Sequence, residues 1–414
     1  MNGLHGIVFS YDRQPDLREL AEQRMPASVP FGGSYRAIDF TLSNFYNAGM
    51  TDVGVVLHGN YQSLLDHLGN GKIWDMSRKY GGLRLLPPFA DNRTYSAAPF
   101  RGKMEALAGV RAYLEEEIRQ EYVVLSEGDL IINYPLDEVF AAHLESGADI
   151  TAVCTPECGQ KQAGGISFRL DPDNRITKTY SDAAVEGGYR SLEIYILSRD
   201  LLLRLTDECA AQEEYCFGKD VLIGKSSRLR LYGYVWRGYS AHLRSVKEYY
   251  DRSMDLLRPE IRKELFDPRR PILAKVDDGA ASYLAPGSSV RRSIVADGCT
   301  IEGSVEDSII FPGARVERGA SVRGSILFKD VVVEENAELS CVIADKNVRV
   351  SAGHRFVGQE NIPWSFPATT RCKKRKGGSR EYSLCDFGSR SVLQDGRTCG
   401  CARQSAAGDC RKRR

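Results

Sequence analysis

A chain of 414 residues, 42% hydrophobic and 27% charged, has the make-up of an ordinary globular protein with two or three domains and a sizeable core. Its net charge of +1 is unevenly spread: Phe366 to Arg414 holds 13 Lys/Arg against 4 Asp/Glu, a net of +9, which leaves −8 on the rest, and such a mildly acidic body argues against nucleic acid as a partner. With no run of 18 apolar residues and no basic-then-apolar leader, no membrane contact is expected and the cytoplasm is the expected location.

The chain starts like a nucleotide-binding βα unit. An apolar strand, Gly6 to Phe9, should feed a glycine-rich turn whose backbone N–H groups face phosphate. The turn instead reads Ser10-Tyr11-Asp12-Arg13-Gln14-Pro15-Asp16, with no glycine. Further strands are expected at Asp52–Leu57, Tyr122–Leu125, Ile150–Cys154 and Ser191–Leu197, with helices at Met104–Glu117 and Leu136–Glu145 between them. Strand and helix in alternation predict a mostly parallel, Rossmann-like α/β sheet over residues 1–258, with functional residues directly after the strands. The charged, proline-bearing residues 259–283 read as a linker.

From 284 to 363 the period changes. Val290, Val295, Ile301, Val305, Ile310, Val316, Val322, Leu327, Val333, Leu339, Ile343 and Val348 recur every four to seven residues, with Gly298, Gly303, Gly313, Gly319 and Gly324 between them. That is the hexapeptide pattern of a parallel β-helix, in which each coil turns one aliphatic residue inward per face. An antiparallel sandwich would show period-two alternation instead. Residues 364–414 lack periodicity and are expected to be disordered. Of the 11 cysteines, Cys372, Cys385, Cys399, Cys401 and Cys410 crowd that tail. Cys154-x-x-x-Cys158 lacks a second pair at zinc spacing, so free thiols are expected there.

Three stretches carry a family resemblance. "SVPFGGSYRAIDFTLSN" (Ser28 to Asn44) resembles the "AVPFGGxYRxIDFxLSN" signature of glucose-1-phosphate adenylyltransferases, the ADP-glucose pyrophosphorylases. "YYDRSMDLL" (Tyr249 to Leu257) resembles their "YWEANMDLL", and "DKNVRVSAG" (Asp345 to Gly353) their "DKNVRIPxG". The resemblance implies a nucleotidyltransferase domain followed by a left-handed parallel β-helix. It also implies the reaction ATP + glucose 1-phosphate to ADP-glucose + pyrophosphate, in glycogen synthesis. That chemistry needs Mg²⁺ on carboxylates, cations on the phosphates and a glycine-rich loop around the triphosphate.

Position by position, the parts are missing. The family's "GGxGxRL" falls on the glycine-free "FSYDRQPD", Phe9 to Asp16. Pro26 stands where the family has lysine, although Arg24 is kept. Asp129, in "VVLSEGDL", sits where the first metal aspartate belongs, a place that would equally suit a turn acid capping the next segment. An ungapped count back from Leu257 puts the second metal ligand on His242, a poor ligand for Mg²⁺. Asp182 replaces a phosphate-binding lysine, and "YRGTADA" becomes "FRGKMEA", Phe100 to Ala106. Asp129 and Glu105 are then the surviving carboxylates, and Arg24, Gly102, Gly165 and Ser191 the substrate-binding remnants.

Loss of charge at phosphate-facing positions, with the structural motifs intact, resembles the GlgD-type non-catalytic subunit of heteromeric ADP-glucose pyrophosphorylases. The partner so implied is a catalytic glucose-1-phosphate adenylyltransferase subunit in a heterotetramer, with ATP, ADP-glucose or glucose 1-phosphate bound weakly and Mg²⁺ not required by this chain. The competing expectation is an active nucleotidyltransferase with an atypical phosphate loop. A third, an acyltransferase on hexapeptide coils, needs a coil histidine, and only His354 at the far end offers one. The tail has its own reading. Shifted by one base with permitted codons, residues 385–402 can spell a run ending "KTGGLADV", similar to the start of bacterial glycogen synthase. A frameshift near residue 370 is therefore expected, and sequencing the DNA across that junction tests it.

Overall fold

Runs of apolar residues that are buried on both sides favour parallel strands covered on both faces. The computed structural model describes residues 3–10, 16–87, 100–157, 165–275, 279–359, 363–368 and 371–372. Contacts divide the chain into two units, Met1–Gly279 with Asn361–Pro363, and Ala280–Glu360 with Trp364–Arg414.

The first unit holds a nine-stranded sheet. Strands β1 (Leu4–Phe9), β2 (Val53–Val56), β3 (Leu83–Leu86) and β4 (Tyr122–Glu127) run parallel in the order β3-β2-β1-β4. A short strand β5 (Leu130–Ile132) follows β4. Beyond it come β6 (Ile150–Pro156), β7 (Ile166–Leu170), β8 (Ile176–Ser181), β9 (Tyr189–Ser198) and β10 (Leu231–Val235). β9 runs antiparallel to β4, β6 and β7, and β10 joins β6 in parallel, so the sheet is parallel around β1 and mixed on the far side of β4. A last strand, β11 (Ser240–His242), pairs antiparallel with β5 away from this sheet.

The sheet separates two apolar cores. Val8, Val55 and Val124 point to one face, where Ile38, Leu42 and Phe45 of α1 (Ala37–Asn47) cover them. Ile7, Phe9, Val123 and Leu125 point to the other, against Met104 and Leu107 of α2 (Lys103–Gly109) and Leu202 and Leu205 of a later helix, Arg199–Ala211. The single helix expected over Met104–Glu117 is two, α2 and Arg111–Glu116. The break falls at Val110 (φ −113, ψ 22), just after the weak helix former Gly109. The segment read as a linker also departs from expectation. It contains the helix Pro259–Leu265, with proline at its first turn, Leu265 buried, and the Leu265 carbonyl accepting from Asn133 Nδ2 at 2.8 Å. Its dense charge masked its buried apolar positions, Leu265 and Ile272.

In the second unit three parallel sheets stack coil on coil. Thr300 pairs with Arg315 and Arg315 with Val332, so a coil takes fifteen or seventeen residues. The inward columns are Ile301, Val316, Val333, Val350; Val305, Val322, Leu339, Phe356; and Ile310, Leu327, Ala344, Phe366. All twelve are buried. The corners demand a left-handed backbone: Gly313 takes φ +75, and a Cβ there would meet Asp330 Oδ1 at 2.2 Å. The coils run past the expected boundary at 363, because Trp364–Phe366 pairs with Val342–Ala344 and Arg371–Cys372 with Arg349–Val350. Tyr11–Pro15 of the phosphate-loop region and residues 373–414 of the tail lie outside the described residues. Among those described, no helix is long and apolar enough to cross a membrane.

Candidate functional site

Strands β1 and β4 end in register, Phe9 beside Glu127. After Glu127 the chain turns through Gly128, where a Cβ would lie 2.8 Å from that of Ala27 and 3.3 Å from the Phe9 carbonyl, so glycine is needed for close approach. The turn delivers Asp129 to the carboxyl edge of the sheet. β11 pairs His242 with Leu130, which sets the imidazole against Asp129. The ungapped count that put His242 at the second ligand position thus lands on a residue facing the first.

Glu127, Asp129 and His242 are all buried and offer ligand atoms within 4.8 Å of one another. His242 Nδ1 stands 3.6 Å from Asp129 Oδ1, too long for a hydrogen bond. Neither oxygen of Asp129 and neither ring nitrogen of His242 has a hydrogen-bond partner among the described residues. Burial, helped by the Arg244 guanidinium, pushes the His242 imidazole down to about 3, so the ring is neutral. Burial also raises the Asp129 carboxyl above the usual carboxylate range, against the pull of Arg244.

A cation is already present. Lys103, at the threonine of the "YRGTADA" pattern, opens α2. Its Nζ lies 2.8 Å from Glu127 Oε1 and 2.6 Å from Glu193 Oε2. Burial alone would lower the ammonium pKa, but Glu127 and Glu193 outweigh that and hold it well above its ordinary value. Glu193 reaches Lys103 from a bulge: the register of β9 with β6 slips between Ser191 and Ile194, and Glu193 takes φ +58. Ser191 supports the bulge. Its Oγ accepts from the Glu193 N–H at 3.0 Å and lies 2.9 Å from the Tyr195 hydroxyl. Arg244 Nη2 stands 3.9 Å from Glu127 Oε2.

The other candidates are placed as follows. Glu105 is not in the Asp129 group; Arg101 holds its carboxylate, with Nε and Nη2 at 3.0 and 2.8 Å. Gly102 is packed rather than open, since a Cβ there would come within 2.1 Å of the Tyr215 carbonyl. The Gly165 carbonyl accepts from Asp182 N at 2.9 Å. Asp182, where the resemblance implies a lysine, brings its own cation: Lys219 Nζ lies 3.4 Å from its carboxylate, and both side chains are largely exposed. Arg24 and Pro26 are buried, Pro26 as the first residue of a short 3₁₀ turn, Pro26–Ser28.

The intact "AIDFTLSN" motif fastens this edge. Asp39 accepts from Arg36 N at 2.8 Å and meets His67 Nε2 at 2.5 Å; Thr41 Oγ1 donates to the Glu127 carbonyl at 2.9 Å. Asn44 bonds the Ile132 carbonyl and the Tyr134 N–H, on either end of the next turn. Lys103, Glu127 and Glu193 escaped the sequence reading, although lysine in "FRGKMEA" and the extra acid in "SEGD" were the visible signals. Only folding brings them to Asp129.

Mg²⁺ demands near-octahedral oxygen donors and keeps several of its waters. Here one of the three grouped ligands is an imidazole, and the Glu127 carboxylate is engaged by Lys103, with Arg244 nearby. The orphaned oxygens of Asp129 alone match the ion, and the donor set as a whole does not fit it.

Sequence comparison agrees with this architecture. A nucleotidyl transferase model matches residues 16–179, and a GlmU-like, C-terminal hexapeptide model matches residues 283–361. The chain is 31% identical over 363 residues to the glycogen biosynthesis protein GlgD of Bacillus subtilis, covering 87% of this chain and 95% of that one. It is 30% identical over 341 residues to the glucose-1-phosphate adenylyltransferase of Acetivibrio thermocellus, covering 81% and 79%. Against the GlgD of Geobacillus stearothermophilus the identity is 32% over 327 residues, 78% and 83% of the two chains. Nucleotidyltransferases of this kind use Mg²⁺.

Proposed function

The chain belongs to the glucose-1-phosphate adenylyltransferase family, and from that premise we propose that it is a regulatory, GlgD-type subunit acting in glycogen biosynthesis. It assembles in the cytoplasm with a catalytic partner subunit, in a heterotetramer, and supports the partner's conversion of ATP and glucose 1-phosphate to ADP-glucose. Its own site is a vestige that does not need Mg²⁺ and holds ATP, ADP-glucose or glucose 1-phosphate only weakly.

The observation that carries this reading is the set of side chains around Asp129. A neutral imidazole stands 3.6 Å from the one acid that matches a metal ligand, and a lysine bridges two neighbouring acids. What these residues do is electrostatic and static. Lys103 neutralises Glu127 and Glu193, Ser191 fixes the bulge that presents Glu193, and Thr41 and Asn44 hold the turn in place. None of them is left to polarise a phosphate. The intact motif therefore supports shape, the property a partner subunit would recognise.

The test is pyrophosphorolysis of ADP-glucose by the purified chain, alone and mixed with a catalytic homologue. The chain alone is expected to be inactive or nearly so, and the mixture more active than the homologue by itself. Asp129→Asn in the mixture should change little. Full activity of the chain alone, or collapse of the mixture with Asp129→Asn, overturns the proposal.

A further inference from the structure

We infer that the ε-ammonium of Lys103 is the resident cation of this site: it does between Glu127 and Glu193 the neutralising work that a divalent ion would do, and the carboxylate cluster takes up no divalent metal. The inference deepens the reading of the site as a vestige and rests on it. It is a statement about ion binding, whereas that reading stands or falls on turnover, so each can fail alone.

Geometry carries it. Lys103 Nζ is within ion-pair distance of two carboxylates at once, 2.8 Å from Glu127 and 2.6 Å from Glu193, and its side chain is only 16% exposed. Glu127 is also one of the three residues whose ligand atoms converge beside Asp129. A metal seated there would have to draw Glu127 away from a buried ammonium and lie within a few ångströms of it. Arg244 Nη2, 3.9 Å from the other Glu127 oxygen, adds a second fixed positive charge on the same side. A tethered ammonium needs no capture from solution, and it satisfies both acids at short charge-assisted distances.

The backbone around Glu193 points the same way. A glutamate at φ +58 occupies a conformation that a residue with a Cβ adopts at a cost, and it persists only when its surroundings over-determine it. Here they do: Ser191 Oγ accepts from the Glu193 N–H, and the bulge turns the Glu193 carboxylate onto Lys103. The strained residue is the one that completes the coordination of the ammonium. Lys103, Glu127 and Glu193 thus form one unit, built from α2, β4 and β9, and among the described residues Asp129 beside it has no cation of its own within hydrogen-bonding distance.

The experiment titrates Mn²⁺ into the chelator-treated full chain and follows free Mn²⁺ by electron paramagnetic resonance. The wild type should leave Mn²⁺ free at millimolar concentration. The double variant Lys103→Met/Glu193→Gln, which removes the ammonium and one of its two acids together, releases Glu127 to ligate the ion and should bind one Mn²⁺ per chain at least about tenfold more tightly, the scale on which groups around a metal ligand shift affinity. Its folding is checked by circular dichroism. Two results overturn the inference: tight uptake of one Mn²⁺ per wild-type chain that Asp129→Asn abolishes, or a folded double variant with no gain over wild type. Should the double variant fail to fold, the wild-type titration with its Asp129→Asn control still decides.

Discussion

In the second unit Arg323 of one coil reaches Glu306 of the coil before it at 2.8 Å, with the two side chains 69% and 28% exposed. In the first unit Lys103 pairs with Glu127 and Glu193 at 2.8 and 2.6 Å, with all three side chains 16% exposed or less. The distances match and the surroundings do not. On the coils, charge decorates a core of stacked apolar residues, mostly aliphatic and closed by Phe356 and Phe366, and Arg–Glu pairs between neighbouring coils recur along the stack. At the sheet edge, charge is itself the local core, where desolvation makes every member dependent on its partner. A regular repeat can lose one pair and keep its fold; a buried cluster cannot lose one member without stranding another.

The largest expected effect tests that dependence. Lys103→Met leaves Glu127 and Glu193 buried without their ammonium, and unfolding in urea should show a loss of about 3–5 kcal/mol. Adding Glu193→Gln should return part of it, because one stranded charge is removed with its partner. A loss near that of a surface pair would place these groups in effective contact with water and dissolve the contrast between the two units.

Protonation sharpens the comparison next. Burial pushes His5 down to about 4, with Asp52 partly opposing it, and does the same to His143, each against an ordinary value of 6.5. Both belong to the first unit, His5 at 3.0 Å from the Tyr113 hydroxyl and His143 at 2.7 Å from Thr151 Oγ1. The unfolded chain therefore binds more protons than the folded one between about pH 6.5 and 4. Stability is full above that window and falls as the pH drops through it, each ring contributing at most about 1.4 kcal/mol per pH unit. Urea midpoints measured between pH 7 and 5 should fall accordingly, and His143→Asn should flatten the slope by about one proton. A flat profile would mean that these rings charge freely inside the fold.

The two units were also unequally legible. The coil columns could be read off almost by counting, since Ile301, Val316 and Val333 repeat locally and each pairs with the next in register. The strands at Gly6–Phe9 and Tyr122–Leu125 were equally plain, because an apolar run needs no distant partner to declare itself. The site was legible only in part. Asp129 and His242 were found through their position in motifs, and they do face each other. Glu127, Lys103 and Glu193 were not found, because a charged residue in sequence usually means a solvated surface, and only the bulge at Glu193 and the register of β1 with β4 turn these three toward one point. Glu105 was named instead of its neighbour Lys103, and Arg101, just before the first turn of α2, holds it. Pattern reports periodic burial well and reports the meeting of distant charges poorly.

Within the coils, Ile310→Val removes one methylene from the column Ile310, Leu327, Ala344, Phe366 and should cost about 0.5–1.5 kcal/mol. Arg323→Ala marks the other end of the scale. The guanidinium bonds Glu306 Oε2 at 2.8 Å, but Arg292 Nη2 lies 3.3 Å from the same carboxylate's other oxygen. Removal therefore leaves Glu306 with a cation and with water, and no charge is stranded. The pair itself gains little at such exposure, since holding two long side chains together costs entropy and salt screens what remains. The unfolding free energy from urea titration should fall by no more than about 0.5 kcal/mol, and even that should vanish in high salt. If Arg323→Ala instead matched Lys103→Met, exposure would not be what separates the two kinds of ion pair. The ladder along the coils would then have to act as a coupled network rather than as independent rungs.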